Sequence, residues 1–575
     1  MRFVVKTGGS VAAVDFDWGR VVEAKEHLKA LGYRWDPVEK AWVRKTPPLH
    51  NAHVDALHAL GVNIPSVPYR FYRSYVYADP SLVNLKDFEY SVKRWRRATC
   101  EEYCSEKYPG WSSCVDKCEE EGWSPVVEAE EVVKLWRMAD DGAVMVPRGL
   151  AHRVKAPKAA EVYFTRLQQP EEAAGLREYQ AQVALNALKA IEKYGGAIIQ
   201  IATGGGKSYM AGWIARQLIR SGYNVVFTSL SIDLTRQLME FAEKWNVPEL
   251  AKNYNASVKA VTIQTLYSRL LKGRQIREAV DEEDEEVQAY MDVEDLTDKE
   301  TEELHKVFFS RNTAVILDEV HHVPANTVKE VMMHAGDGWG LRLGMSATPW
   351  RNDGRDLEVE AWVGPIVDPR ITSSYLISRG YAVPVEINII RTGTWGCGRS
   401  GEDEDAAKAY AAVRKCLATS SERNRFIARL AAEAPKPVLV LTSLVRHAHL
   451  LHSALKPLGN VAVVTGVVKG EERARVFNMV KEGKVDVLVA TTLADEGLDL
   501  PPLRSLILTM GGRSKTRTLQ RIGRLVRPWP GKDKAIAFDI ADNVWPFKEQ
   551  AAERIKLYKT EPHWVVREVN MDERG

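Results

Sequence analysis

Short β-branched runs alternate with segments of helical period from about residue 173 to 545, and this alternation restricts the possible folds more than any other feature. The first set comprises Ala197–Ala202, Val225–Thr228, Val258–Ile263, Ala314–Leu317 and Leu341–Met345. A second set comprises Val438–Leu441, Val461–Val464, Val485–Ala490, Ser505–Leu508 and Ala535–Phe538. Near-continuous apolar strands joined by helices make parallel α/β sheets buried on both faces. Two sets imply two doubly wound lobes in tandem, with the changeover near 366–375, after Val363-Gly364-Pro365. The expected fold class is α/β, with two tandem parallel-sheet lobes behind a smaller α+β N-terminal region.

The remaining chain is apportioned around those lobes. Residues 1–65 read as a small α+β unit: a helix over Val21–Leu31, a strand–turn–strand from Tyr33 to Arg44, and a second helix over about Asn51–Leu60. Residues 66–172 form an accessory region with a Cys-containing helical hairpin. The first lobe spans 173–368 with an acidic insertion at 278–305, the second spans 369–548, and 549–575 is left as a C-terminal tail. Asp281–Glu303 holds 13 acidic residues and one lysine. It reads as a solvated or partly disordered insertion, or as an acidic gate that mimics nucleic acid.

Composition removes several function classes. Of the 575 residues, 45% are hydrophobic and 27% charged, a globular composition rather than a disordered one. Lys plus Arg is 79 against 77 Asp plus Glu, so any polyanion site must be a local patch. No apolar run approaches the roughly 18–20 residues of a membrane span. The N-terminus, Met1-Arg2-Phe3-Val4-Val5-Lys6, lacks the apolar core of a signal peptide. An intracellular, cytoplasmic setting is expected. Only 12 Gln beside abundant Glu, Lys and Arg lean toward a thermophilic prokaryote or its virus.

Three motifs carry chemistry. Thr203-Gly204-Gly205-Gly206-Lys207-Ser208 follows a strand and opens a helix. Glycines there let backbone N–H groups approach phosphate, Lys207 reaches its charge and Ser208 can hold Mg²⁺; a plain strand–helix turn is the bland alternative. Asp318-Glu319-Val320-His321 ends a buried strand. Asp318 suits Mg²⁺ coordination and Glu319 polarisation of an attacking water, against a helix-capping acidic pair. In Gln520-Arg521-Ile522-Gly523-Arg524-Leu525-Val526-Arg527, Arg524 and Arg527 share a helix face. They can point into a phosphate site of the other lobe, serve as a nucleic-acid contact, or form a solvated basic face.

Taken in order, Leu176-Arg177-Glu178-Tyr179-Gln180, the P-loop, Thr228–Gln237, Thr262–Thr265, Asp318–His321, Ser346-Ala347-Thr348, Thr491–Asp499 and Gln520–Arg527 resemble the core of a superfamily-two helicase. Ser346–Arg351 and Leu376–Tyr381 resemble the branch of XPB-like and phage UvsW-like DNA helicases. The resemblance implies two RecA-like lobes enclosing ATP and Mg²⁺. It implies that Gln180 reads adenine, that Asp499 contacts ribose or the lobe interface, and that Ser346 and Thr348 couple hydrolysis to movement. It makes Arg524 and Arg527 arginine fingers, with Gln520 beside them in the catalytic set. Thr228, Thr265, Thr442 and Thr491 would grip the nucleic-acid backbone. DNA, duplex or branched, is the implied partner, used in repair, recombination or replication. Other readings are an RNA helicase, or a motor subunit of a restriction or defence complex with its nuclease on another chain.

Two further features stay open on sequence. Cys100-x3-Cys104 and Cys114-x3-Cys118 place sulfurs at i,i+4 on two helices. Antiparallel packing would pair Cys100 with Cys118 and Cys104 with Cys114; a zinc or iron–sulfur site and free thiols are the alternatives. Cys397 and Cys416 are expected to be buried or free. Trp35 and Trp42, among Arg34, Lys40, Arg44 and Lys45, either stack on bases or form a small core. The XPB-like proteins carry a DNA-engaging domain at this N-terminal position. The stretch Lys93–Arg97 is a phosphate contact or a solvated helix face.

Overall fold

The computed structural model describes residues 2–5, 11–14, 25–30, 33–36, 41–44, 59, 69–97, 99–107, 114–115, 118, 126–139, 142–155, 162–271, 294–323, 325–349, 354–398, 406–466, 468, 470–491, 500–512 and 514–570. The second N-terminal helix apart from Ala59, residues 281–293 of the acidic run Asp281–Glu303, and Asp499 lie outside these residues. The described end of that run is no solvated insertion, for it enters helix Asp298–Phe309, which buries Leu304, Val307 and Phe308.

The first lobe is a six-stranded sheet in the order Val258–Ala260, Asn224–Thr228, Thr313–Asp318, Leu341–Ser346, Gly196–Ile201, Ile366–Ile371. Its pairings are parallel. The strand residues divide by alternation between two cores. Ile199, Ile201, Ile316 and Leu343 face one core, while Ile198, Val226, Val315 and Leu317 face the other. Each such side chain taken from water contributes roughly 1.5–3 kcal/mol, which explains why these strands read as continuous apolar runs.

The second lobe is a seven-stranded parallel sheet in the order Val461–Val464, Val487–Thr491, Val438–Thr442, Ser505–Leu508, Ala535–Asp542, Val385–Thr392, Trp564–Asn570. Two expectations change here. Strand Ile366–Ile371 belongs to the first sheet, so the lobes exchange between 371 and 385 rather than at 368. Residues beyond 548 are no loose tail: helix Phe547–Tyr558 leads into Trp564–Asn570, which pairs with Val385–Thr392.

The accessory region is likewise less separate than its sequence suggests. Strands Tyr69–Tyr72, Tyr75–Ala78, Val144–Pro147 and Arg137–Met138 form a small antiparallel sheet. Tyr69, Val76, Val144 and Val146 share a core with Ile198 and Val226 of the first lobe. Buried Arg148 and Arg342 fasten the seam: Arg148 donates to Gly338 O at 3.1 Å, and Arg342 to Trp362 O at 2.9 Å and Ser74 Oγ at 2.6 Å.

A two-stranded ribbon, Glu89–Arg97 against Val126–Lys134, rises from this sheet. Lys93–Arg97 therefore lies on a strand, not on a helix face. The ribbon's far end carries helix Cys100–Lys107, clamped by disulfides Cys100–Cys118 and Cys104–Cys114 with Cα separations of 5.7 and 5.8 Å. These sulfurs are paired and not available to a metal. Cys397 and Cys416, expected buried or free, form a third disulfide. The loop after Val385–Thr392 and helix Ala406–Thr419 fold together over Met510, Val544 and Phe547.

In the N-terminal sheet Trp42 is 5% exposed and Trp35 42%, their rings edge-to-face at 6.1 Å. One indole of the pair is core and the other is surface. Among the described residues no helix is long and apolar enough to cross a membrane.

Candidate functional site

The buried strand Gly196–Ile201 delivers its chain into a tight loop, and helix Lys207–Arg220 begins at once. Gly206 has φ +85°, and a Cβ there would lie 2.3 Å from Gln180 Nε2. Only glycine combines that left-handed backbone with that closeness. The loop is braced from behind: Tyr179 Oη donates to Gly205 O at 2.8 Å and Gln180 Nε2 to the same oxygen at 3.0 Å. Gln180 Oε1 accepts from Arg177 N at 2.9 Å, and the residue is 4% exposed. Its carboxamide is thus committed at both ends to the P-loop and its own helix start. These two bonds use one N–H and one oxygen lone pair of the carboxamide.

Strand Thr313–Asp318, adjacent to Leu341–Ser346, ends beside the loop. Asp318 is 6% exposed and accepts from Glu319 N at 3.0 Å. Burial first, and then the Glu319 charge, raise its pKa to about 6, while Lys207 pulls it down. A buried carboxylate in that condition is short of positive charge, as a cation ligand is before its cation arrives. Among the described residues no cluster of three or more His, Cys, Asp or Glu is placed to hold a metal. One carboxylate plus Ser208 and substrate phosphates is the ligand set Mg²⁺ ordinarily takes.

Glu319 adopts φ +54°, uncommon for a residue with a side chain and costing of order 1–3 kcal/mol. Its Oε2 accepts from Ser346 Oγ at 3.3 Å and from Gln520 Nε2 at 3.0 Å. His321 Nδ1 lies 3.4 Å from the same oxygen and 3.2 Å from Ser346 Oγ. Ser346 Oγ also accepts from Thr348 N at 3.1 Å. The segment after the Leu341–Ser346 strand is therefore wired to the carboxylate that would handle water. Thr348 is 2% exposed, and its hydroxyl has no hydrogen-bond partner.

The second lobe closes the site through helix Lys515–Leu525. Gly523 packs so tightly on the P-loop that a Cβ would lie 2.8 Å from Thr203 Cβ. The result is a cavity of about 330 Å³. Thr203, Gly204, Gly206, Lys207, Ser208, Asp318 and Glu319 line it from one side, and Gln520, Arg524 and Arg527 from the other. Burial pushes Arg527 down to about 10. Leu234, Gln237 and Phe241, on one face of helix Ile232–Lys244, add a wall with Tyr209. His321, Leu234 and Gln237 fall within motifs read from sequence, but their place in this cavity was not, nor was Phe241, although the i, i+3, i+7 spacing of the three helix residues carried the signal.

The four threonines expected to grip nucleic acid are a different matter. Thr228, Thr265 and Thr442 are 0% exposed and Thr491 2%. Thr442 Oγ1 is 2.6 Å from His447 Nδ1, whose Nε2 is 2.9 Å from Asn424 Oδ1. Thr265 Oγ1 accepts from Glu294 N at 2.7 Å, and Glu294 Oε2 accepts from Thr262 N at 3.0 Å. The Thr265 and Thr442 hydroxyls are thus engaged within the fold, the buried hydroxyls of Thr228 and Thr491 have no hydrogen-bond partner, and none of the four side chains faces solvent.

Residues 174–351 match the family described as type III restriction enzyme, res subunit, and residues 422–528 the helicase conserved C-terminal domain. Putative helicase 22 of Sulfolobus islandicus filamentous virus is 27% identical over 68% of this chain and 68% of its own length. The DNA 3'-5' helicase XPB of Kineococcus radiotolerans is 27% identical over 47% of this chain and 46% of its own. The ATP-dependent DNA helicase uvsW of phage T4 is 25% identical over 44% and 50%. The chain thus spans two thirds of the viral relative and about half of the other two. The first lobe thus matches a restriction-enzyme res subunit, the second a helicase C-terminal domain, and these relatives are named as helicases: the chain is similar to superfamily-two helicases across both lobes.

Proposed function

We propose that the protein is an ATP-driven DNA translocase or helicase that couples hydrolysis between its lobes to movement on DNA. The observation that carries this reading is the single cavity in which the P-loop and Asp318–Glu319 of one lobe face Gln520, Arg524 and Arg527 of the other. Lys207 and the Thr203–Gly206 backbone hold the phosphates, with Ser208 and Asp318 placed to hold Mg²⁺, which neutralises phosphate charge when bound. Glu319 orients and deprotonates the attacking water. Arg524 and Arg527 stabilise charge that grows on the transferred phosphoryl group, so turnover requires the lobes to be closed. Ser346 reports the state of Glu319 to the segment that follows it, and Asp499 is assigned to the ribose or the lobe interface.

DNA as the track rests on the relatives named as DNA helicases. Because the hydroxyls of the four threonines are buried, their segments would meet the strand through backbone N–H groups or after rearrangement. Work on DNA fits the cytoplasm of a prokaryote or of a virus-infected host, in repair, recombination or replication. ATPase rate against single-stranded, duplex, forked and RNA ligands tests the proposal. Stimulation by DNA above RNA is expected, and equal rates with and without nucleic acid would refute a translocase. Co-purification of a nuclease would instead favour a restriction motor, in keeping with the family matched by residues 174–351.

A further inference from the structure

Lys532 lies outside every motif named above, yet it is 5% exposed and two of the three N–H donors of its ammonium are engaged. Its Nζ donates to Pro501 O at 2.9 Å and to Arg527 O at 2.9 Å. Both acceptors are main-chain carbonyls of residues that line the nucleotide cavity. Arg527 follows directly on helix Lys515–Leu525 and its cap Val526, where carbonyls are left without intrahelical donors and the helix dipole favours a cation. Pro501 belongs to a different loop, anchored by buried Leu500 and Leu503. The turn carrying Lys532 is itself fixed: Lys532 N donates to Trp529 O at 3.0 Å, and Arg504 donates to Gly531 O at 2.6 Å.

We infer that Lys532 is a positioning residue for hydrolysis: its ammonium bolts the end of the arginine helix to the Pro501 loop and thereby aims Arg527 into the cavity. The inference rests on the ATPase reading proposed above. The arrangement is costly to maintain. Burial, with Arg504 and Arg527 nearby, brings the Lys532 pKa down to about 7. A lysine needed only to fill space would be served by an apolar side chain of similar length. Two charge-assisted bonds to carbonyls on separate loops are what an apolar replacement cannot supply. The ground-state hold on ATP belongs to Lys207 and the P-loop in the other lobe, so loss of Lys532 should fall on the chemical step.

The test is steady-state ATPase of the full chain with saturating DNA, alongside thermal melting. Lys532→Met should lower kcat at least tenfold with KM for ATP within twofold of wild type, and Lys532→Arg, which keeps donors, should stay within threefold of wild-type kcat. A Lys532→Met kcat within twofold of wild type overturns the inference. So does a KM that rises in step with the loss of kcat, or a Lys532→Arg variant as impaired as Lys532→Met. If Lys532→Met does not fold, Lys532→Gln, with two N–H donors on a shorter stem, is judged by the same split. Wild-type turnover tests the ATPase reading, whereas the ratio of variant to wild type tests Lys532, so the two can fail separately.

Discussion

Gln520 Nε2 donates to Glu319 Oε2 across 3.0 Å, joining the two lobes at the carboxylate assigned to activate water. In the same closed arrangement Gly523 rests on Thr203. The base is therefore held by the lobe that must move, and removing either partner should disturb turnover in its own way.

Glu319→Gln should abolish hydrolysis, with a loss of at least about 10²-fold, while ATP analogue binding persists because Lys207 and Asp318 are untouched. Lys207→Ala should lose both binding and turnover. Single-turnover hydrolysis with a parallel binding titration checks the pair; near wild-type turnover in Glu319→Gln would remove Glu319 from its role.

Gly523→Ala tests the lobe contact. A Cβ 2.8 Å from Thr203 Cβ forces the helix off the P-loop. Arg524 and Arg527 then withdraw with it. A fall in kcat of about tenfold, equivalent to ~1.4 kcal/mol of transition-state stabilisation, is expected with little change in melting temperature.

Glu294 offers a test of nucleic-acid engagement. Its carboxylate occupies the Thr262 amide while its own amide engages the Thr265 hydroxyl. If a DNA phosphate uses that turn, Glu294→Gln should raise DNA affinity, most at low salt, since the negative charge it removes repels least when screened. Weaker binding in fluorescence anisotropy would assign Glu294 to stabilising the turn instead.

His447 sets a pH limit on the second lobe. Burial, and then the Arg423 charge, lower its pKa from 6.5 to about 3. The neutral ring is favoured in the fold and the protonated ring in the unfolded chain. Stability is complete above about pH 6.5 and is lost progressively as pH falls toward 3. Denaturant unfolding between pH 7 and 4 should show this slope, reduced in His447→Gln.

The three disulfides predict an oxidised mass about 6 Da below that of the reduced chain, from loss of six thiol protons. Closing loops of this length stabilises by roughly 2–4 kcal/mol each. Reduction should loosen the ribbon tip and, through Cys397–Cys416, the cluster around Met510 and Phe547. Hydrogen exchange with and without reductant locates both effects.

Sequence reading succeeded where chemistry or burial on both faces dictates residue type. Ile198 and Ile199 had to be apolar because they face opposite cores. Lys207, Asp318 and Glu319 end up around one cavity because strand ends in a parallel sheet converge. It is silent where the answer depends on distant partners. Nothing local in Gln180 says that Gly205 O will take its amide, and nothing in Thr442 that His447 will cover its hydroxyl. Cys397 meets Cys416 only because a loop and a helix fold back over Phe547. Strand Trp564–Asn570 escaped notice because its burial is mixed, as befits a sheet edge.

That edge strand has a consequence for how the chain is made. Val385–Thr392 opens the second lobe, yet its sheet neighbours are Ala535–Asp542 and Trp564–Asn570. During synthesis it waits about 140 residues for its first partner, at roughly 5–20 residues per second, with Ile387, Ile389 and Ile390 uncovered throughout. In the first lobe Gly196–Ile201 waits as long for Leu341–Ser346, yet that whole sheet is complete at Ile366–Ile371, before the second begins. On the ribosome the P-loop lobe can mature alone while its partner stays an unfinished sheet. Arg524 and Arg527, to which the transition-state role is assigned, thus arrive about 150 residues after the first sheet is complete, and a chain cut off before them carries a nucleotide cradle without its trigger.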